Sequence, residues 1–395
     1  MDDRRAHANW FSSANTNVVP RFGLERSRIV LHKIAPRPAC GGLALADSAV
    51  TAEHWTGASL KPGRTKCEAC AGFVRTQEGL PFVLAQRNAF GHGARGCCRY
   101  TWLPKAVHGL QKNPRLFADE ASAMVELGVG KNMVRSIRFW AQATGIVVAV
   151  KNSEYRLTNF GSCLLGERGR DPFLEDIRTL WLLHWNLATD VENPLLAWDY
   201  LLNRWQEPEL VSSVVLRALE KEAIKENETV SPVTLEQHVD AFLHTYVPTR
   251  GKKGEVQEDN LDCPLVELEF LVKVGDRELD RMGGRREAIY AFRRDEKPEV
   301  TPELFIYCLH DFWTRRHSTE STLPFREVAH GHGSPGQIFK LPEDDIRVRL
   351  DLLAKQSGGL FTYTESSNLQ QIRRHGERRN TDVLKEIYSA ELVHA

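Results

Sequence analysis

The sequence has no surplus of charge, since 52 Lys and Arg balance 52 Asp and Glu over 395 residues. It also contains no run of eighteen apolar residues, and its first thirty residues lack the apolar stretch of a secretory signal. Because the net charge is zero, it gives no support for a nucleic-acid partner. The lack of a long apolar run argues against a membrane span, and the lack of an apolar N-terminal stretch argues against a signal peptide. We therefore expect a cytoplasmic protein without a membrane partner.

Cysteine is also scarce, and eight unevenly spread residues are too few for a disulfide framework. Four residues of the N-terminal part instead have the composition of a zinc site: His32, Cys40, Cys67 and Cys70. Zinc at such a site would stabilise a glycine-rich module too small for a good core. Cys97 and Cys98 are substitute ligands. Unrelated thiols in a loose arm remain an equal alternative.

Basic residues are concentrated at the start of the chain. Residues 1–100 contain 14 Lys and Arg against 7 Asp and Glu, a local excess of seven. Phosphate attraction acts over a Debye length of roughly 8 Å, so a neutral protein can still bind DNA with a basic face.

The pattern of helix and strand signals predicts an α+β fold that is mainly helical. We divide the chain into an appended, zinc-ribbon-like module at 1–87, a winged-helix DNA-binding domain at 88–170, a helical middle domain at 171–300 and a C-terminal winged-helix-like domain at 301–395.

The most informative stretch predicts two helices joined by a tight turn. A helix over 119–127 is expected to end at Gly128 and Gly130, and a second helix to begin at Lys131. Gly145 stands where a C-terminal capping glycine is expected.

The second helix is predicted to be basic on one side and apolar on the other. At 100° per residue its polar residues fall within about 60° of one another. This front face consists of Lys131, Arg135, Arg138 and Gln142. The back face consists of Met133, Val134, Ile137, Trp140 and Ala141. A recognition helix needs this division, because its back packs on a partner helix while its front lies in the major groove. Asn132 and Arg135 carry groups that can bind adenine or guanine edges.

A hairpin is predicted directly after this helix. Ile146–Val150 reads as a strand, Lys151-Asn152-Ser153 as a turn, and Tyr155–Leu157 as the returning strand. Helix, glycine, strand, turn, strand is the order of a winged helix, with Lys151 at the wing tip near a phosphate. The alternative is a surface helix whose charges are only solvated.

A second, weaker copy of the same order lies near the C-terminus. A helix over Glu343–Ser357 precedes a hairpin that ends in Arg373-Arg374. Acidic residues dilute the basic side of this helix, so protein contact or a structural role is as well supported as DNA binding.

Three stretches of the sequence match the motifs of a known family. They are the run from Leu127 to Trp140, Arg99-Tyr100-Thr101-Trp102-Leu103-Pro104-Lys105, and Asp262-Cys263-Pro264-Leu265. Over about residues 88–375 the chain resembles the domain of unknown function 4007 family. The family carries His-Glu just before the Arg-Tyr run. In this chain His92 has the place of the histidine and the glutamate is absent.

This resemblance implies a protein of a bacterial DNA phosphorothioation or related defence system. One member type nicks DNA in single-strand phosphorothioation, together with a cysteine desulfurase, an ATPase and an ATP pyrophosphatase. We therefore expect double-stranded DNA and these three proteins as partners, with a homodimer as one candidate assembly. Arg99 and Lys105, within the matching motif, join the predicted DNA contacts.

Nicking chemistry usually needs carboxylates that hold Mg²⁺ and a group that activates water. The candidate catalytic residues are His92, Glu258, Asp259 and Asp262. Lys252 and Lys253 lie nearby and could stabilise phosphate charge. The spacing matches no nuclease motif, and a solvated acidic loop is the alternative.

The sequence therefore predicts a DNA-binding protein of a phosphorothioation system that nicks one strand for sulfur insertion. The rival hypothesis is a non-catalytic adaptor or repressor that binds DNA and recruits modification enzymes.

Overall fold

The structure is a computed structural model that describes residues 97–225, 230–248, 263–278 and 286–389. Several predicted functional residues lie outside these ranges, and their roles stay predictions. They are the zinc ligands His32, Cys40, Cys67 and Cys70 and the catalytic candidates His92, Glu258, Asp259 and Asp262.

The described chain is α+β and mainly helical, as the sequence predicted. Its first part contains α1 (Trp102–Lys112), α2 (Glu120–Leu127), α3 (Lys131–Ala143), β1 (Val147–Ala149), β2 (Tyr155–Leu157) and α4 (Asn159–Leu165). None of the helices in the described ranges is long and apolar enough to cross a bilayer.

Local signals place α2 and α3 where the sequence predicted them. Asp119 caps α2 by accepting hydrogen bonds from the backbone N–H groups of Ala121 and Ser122. Gly128 ends the helix in the left-handed region, at φ 63°, which glycine adopts without steric cost. An N-terminal cap such as Asp119 contributes about 1 kcal/mol to helix stability.

The middle part is helical but also contains a three-stranded antiparallel sheet, so its prediction as a helical domain is incomplete. Its elements are α5 (Ile177–Thr189), α6 (Leu196–Asp199), a π-helical turn (Tyr200–Arg204), β3 (Glu209–Val211), α7 (Ser212–Lys225), α8 (Pro232–Tyr246), a 3-10 helix (Pro264–Leu268), β4 (Leu271–Glu278) and β5 (Arg286–Phe292). The strand order is β3-β5-β4. Strand β4 was not apparent in the sequence because polar residues interrupt its apolar pattern.

The C-terminal part contains the predicted helix and hairpin, with one further strand beside them. Its elements are α9 (Pro302–Arg316), β6 (Thr322–Pro324), α10 (Phe325–His330), α11 (Pro335–Phe339), α12 (Glu343–Gln356), β7 (Phe361–Glu365), β8 (Gln370–Arg374) and α13 (Asn380–Ile387). The strand order is β6-β8-β7, and both pairings are antiparallel.

Tryptophan side chains form much of the core. Trp140, Trp181, Trp185, Trp198 and Trp313 are fully buried. Trp140 of α3 meets Trp198 of α6 edge to face, with ring centroids 6.2 Å apart. Each aromatic ring of this size buries a large apolar area, and its truncation costs about 3–5 kcal/mol. This contact attaches α3 to the middle part of the chain.

A buried hydrogen-bond chain connects four helices of the core. The Trp198 indole N–H donates to the Tyr246 hydroxyl, at 2.9 Å, and that hydroxyl lies 2.7 Å from His184 Nδ1. His184 Nε2 lies 3.2 Å from the carbonyl oxygen of Ile338, which can only accept. The neutral ring therefore carries its proton on Nε2 and accepts from Tyr246. Burial lowers the pKa of His184 to about 3.

This pKa predicts how the stability contributed by His184 depends on pH. Below pH 6.5 the histidine of the unfolded chain binds a proton, whereas the buried ring stays neutral until the pH approaches 3. The free energy of unfolding therefore decreases as the pH falls from 6.5 towards 3. We expect His184→Gln to be less stable than wild type at neutral pH. The gap should narrow by up to about 1.4 kcal/mol per pH unit below 6.5.

Urea unfolding at several pH values between about 7.5 and 5 measures this gap, and circular dichroism at neutral pH checks that the variant folds. A gap that does not change with pH would contradict a buried neutral histidine.

Candidate nucleic-acid interface

Helix α3 turns its back face to the core, as predicted. Val134, Ile137, Trp140 and Ala141 are buried. Met133 differs, because it is 37 % exposed. It belongs to the first turn, whose three residues are all exposed, so this turn extends past the core. The front face therefore points away from the core along the length of α3.

Two cations of the front face share one carboxylate that the sequence analysis missed. Arg135 Nε donates to Glu120 Oε1 at 2.6 Å, and its second nitrogen donates to Oε2 at 3.0 Å. Lys131 Nζ lies 3.1 Å from the same Oε2. The hydrogen bonds from Arg135 and Lys131 lower the pKa of Glu120 to about 2. Glu120 thus stays ionised and cancels one of the three positive charges of the front face.

The other polar residues of α3 remain available to a ligand. Arg138 is half-buried and forms no ion pair within the described ranges, while Asn132 and Gln142 are exposed. Three cations and one carboxylate leave the front face with two net positive charges. This is a locally basic surface on a chain of zero net charge.

The hairpin β1–β2 lies beside α3 and is fixed at its base. Thr158 Oγ1 donates to the carbonyl oxygen of Gly145 at 2.6 Å, and the Tyr155 N–H donates to that of Pro114 at 2.8 Å. A side chain on Gly161 would collide with the Ile146 carbonyl, so glycine lets α4 approach β1. These contacts hold the hairpin against the helices.

The tip of the hairpin is the short 3-10 turn Lys151–Ser153. Asn152 and Ser153 both have positive φ, at 62° and 59°. Lys151 is exposed there, and Arg156 is exposed on β2. The turn thus presents a second basic position on the same helix-and-hairpin unit.

Arg99 and Lys105 both have contacts within the protein. The Arg99 guanidinium lies over the Trp102 ring, 5.6 Å from its centroid. Lys105 Nζ donates to the carbonyl oxygen of Leu127 at 3.1 Å. This bond satisfies a carbonyl at the C-terminus of α2, where a cation is favourable. Their predicted DNA contacts stay predictions.

Two of the three cations of α12 are paired, as on α3, while Lys355 is exposed and forms no ion pair among the described residues. Arg347 bonds Glu365 at 2.9 Å and lies 3.5 Å from Glu343. Arg349 bonds Asp345 at 2.8 Å and also donates to backbone carbonyls. DNA contact, protein contact and a structural role for the C-terminal helix and hairpin all stay predictions.

Two sequence motifs that lie far apart in the chain meet in the fold. The Tyr100 hydroxyl donates a hydrogen bond to the carboxylate of Glu267, which follows the Asp-Cys-Pro-Leu motif by two residues. Cys98 and Cys263 are both buried beside this contact, and burial raises the pKa of both thiols. Cys97 and Cys98 as substitute zinc ligands stay a prediction, because the other proposed ligands lie outside the described residues.

The described parts of the chain contain no candidate metal site. No group of three His, Cys, Asp or Glu side chains lies close enough there to hold an ion.

Comparisons with known proteins extend over most of the chain. The family model described as protein of unknown function (DUF4007) matches residues 95–388. Two solved structures, a crystal structure of SspB and a magnesium ion-bound crystal structure of SspB, are each 25% identical with a TM-score of 0.64. Each match covers 75% of this chain and 88% of the other. No curated protein matches the chain.

The contact between Tyr100 and Glu267 predicts energetic coupling between the two motifs. In a double-mutant cycle of Tyr100→Phe and Glu267→Gln, we expect a coupling energy of about 1 kcal/mol in the free energy of unfolding. The value is modest because Glu267 is exposed.

Glu269→Gln is the matched control, since Glu269 is an exposed carboxylate two residues away. Its cycle with Tyr100→Phe should give coupling near zero. Equal coupling in the two cycles would contradict a specific bond to Glu267.

Proposed function

Because the chain belongs to the family described as protein of unknown function (DUF4007), we propose that it binds double-stranded DNA through a winged helix. The winged helix consists of α1, α2, α3 and the hairpin β1–β2. Helix α3 is the recognition helix, and the hairpin is the wing.

The observation that carries this proposal is the surface of α3. Its back face is buried, with Trp140 against Trp198, while its front face points away from the core and carries two net positive charges. A helix that lies in the major groove needs a cationic outer side, because phosphates line both edges of the groove. A solvated surface helix also has polar residues outside. The adjoining hairpin, with Lys151 at its tip, favours DNA.

Each polar residue of the interface has a distinct proposed role. Arg138 and Lys151 contact phosphates. Asn132 and Gln142 reach base edges, since amide side chains pair with adenine. Arg135 and Lys131 are held by Glu120 before binding, and DNA phosphates compete with that carboxylate for them.

This competition predicts that Glu120→Gln strengthens DNA binding. Removing the carboxylate restores one net positive charge to the front face, so we expect duplex affinity to rise about three- to tenfold at moderate salt. Fluorescence anisotropy with a labelled duplex measures the effect. Glu126→Gln is the matched control, because Glu126 is an exposed carboxylate on the same helix. Equal gains in both variants would mean that only total charge matters.

The proposal itself is tested by reversing two cations of α3. Arg135→Glu with Arg138→Glu should abolish duplex retardation on a gel at moderate salt. At low salt, where binding is still measurable, the slope of log affinity against log salt should fall by about 2. Arg217→Glu with Lys221→Glu makes the same change of charge at exposed positions on α7. Unchanged retardation by the α3 variant, or equal loss of retardation in the α3 and α7 variants, would contradict the assignment of α3 as the recognition helix.

We further propose that this DNA binding serves a bacterial phosphorothioation system in the cytoplasm, where the protein nicks one strand for sulfur insertion. The similarity to SspB structures over 88% of their chain supports a place in that system. A cysteine desulfurase, an ATPase and an ATP pyrophosphatase are the proposed partners, and a homodimer the proposed assembly.

The proposed Mg²⁺ site for nicking rests on residues outside the described ranges. They are Glu258, Asp259 and Asp262, with His92 as the proposed base. The described residues do not gather a group that fits the ion, so no reaction step is assigned to them.

A non-catalytic adaptor or repressor is the second candidate function. It is favoured by the departure from the family pattern before Arg99, where His92 is followed by glycine and not by glutamate. Such a protein would use the same α3 surface and recruit the enzymes that act on DNA.

Incubation with supercoiled plasmid distinguishes a nickase from a non-catalytic adaptor or repressor. With Mg²⁺, a nickase converts it to open circles, and His92→Ala or Asp262→Asn should abolish that conversion. An adaptor retards the plasmid on a gel without cutting it. Open circles formed equally by wild type and by both variants would overturn the proposed catalytic residues.

A further inference from the structure

A cleft of about 310 Å³ opens where α3 ends. Helices α3, α4, α5, α9 and α13 all contribute to its walls. Gln142, the last residue of the front face of α3, is part of its lining. The volume is at the lower end of ligand pockets, which span about 300–1,000 Å³. The proposed DNA-binding surface therefore continues into a cavity large enough for a small planar group.

One side of the cleft is held rigid by Asp311, which is only 2% exposed. Its carboxylate accepts hydrogen bonds from the Trp185 indole at 2.8 Å and from the Asn380 amide at 3.0 Å. It also pairs with Arg315 Nε at 2.7 Å. Asp311 is thereby satisfied within the protein, and it fixes the Arg315 guanidinium at the cleft.

The remaining lining mixes amide, carboxylate and aromatic groups. Gln142 and Asn159 are exposed amides, Asp190 adds a second carboxylate, and the Phe160 ring is half-buried. Two carboxylates against one guanidinium leave one net negative charge, which disfavours a free phosphate. A neutral group whose edge carries both donors and acceptors fits this lining, and a nucleobase has that chemistry. Amide side chains pair with base edges, and aromatic rings stack on base faces.

We propose that this cleft receives one nucleobase that leaves the stack of the duplex bound by α3. Phe160 contacts the face of the base, while Gln142 and Asn159 bond its edge. The inference rests on the proposed DNA binding, since the base reaches the cleft past the C-terminal end of α3. Extrusion costs pairing and stacking energy, and a mismatched base has already lost part of it.

The test compares two duplexes that differ by one central mismatch. Wild-type protein should bind the mismatched duplex about tenfold more tightly than the fully paired one, because less energy is spent on extrusion. Ala143→Phe places a ring in the cleft from the last residue of α3. It should lose this preference and keep its affinity for paired DNA.

Ala354→Phe is the matched control, because Ala354 is exposed on α12, outside the cleft. It should keep the wild-type preference, and thermal unfolding of both variants checks that they fold. Equal affinity of wild type for the two duplexes, or a preference that survives in Ala143→Phe, would overturn the nucleobase cleft and leave the DNA-binding proposal intact. Binding to neither duplex would overturn both.

Discussion

The packing of Trp140 against the core determines which way α3 faces. The indole is fully buried and meets Trp198 of α6, and Val134, Ile137 and Ala141 are buried on the same side. Rotating the helix would bring Trp140 into water, at a cost of roughly 1.5–3 kcal/mol or more for a ring of this size. The front face is therefore held outward by hydrophobic burial, and the proposed DNA contact follows from this orientation.

Ion pairs with Glu120 then determine how far the cations of the front face are available to a ligand. Glu120 holds Arg135 in a two-point hydrogen bond and Lys131 in an ion pair, so both cations have a defined position. Such a partner orders the side chains and also competes with phosphate for them. On α12, Arg347 and Arg349 are likewise bound by carboxylates, but the helix itself carries four acidic residues against three basic ones, whereas α3 carries no acidic residue. The two helix-and-hairpin units of the chain therefore have similar elements and different surfaces.

The family motifs contribute to the scaffold as well as to the surface. Tyr100 reaches Glu267, and Lys105 bonds the end of α2, so residues of the first motif link the helices of the interface to the middle of the chain. The buried chain from Trp198 through Tyr246 to His184 ties α5, α6, α8 and α11 together. A support of this kind keeps the side chains of the candidate interface in a defined geometry.

Local chemistry in the sequence determined the boundaries of α2 and α3, the two faces of α3 and the hairpin that follows. Asp119, Gly128 and the apolar spacing from Val134 to Ala141 act over a few residues, so their effect can be read directly. Only the tertiary structure decided that Glu120 neutralises part of the front face, that Tyr100 meets Glu267 and that Gln142 shares a cleft with Arg315. The last two join residues more than a hundred positions apart, and Glu120 meets Arg135 because two helices pack at a particular angle. Such pairings depend on how complete elements fit together, which no short stretch of sequence specifies.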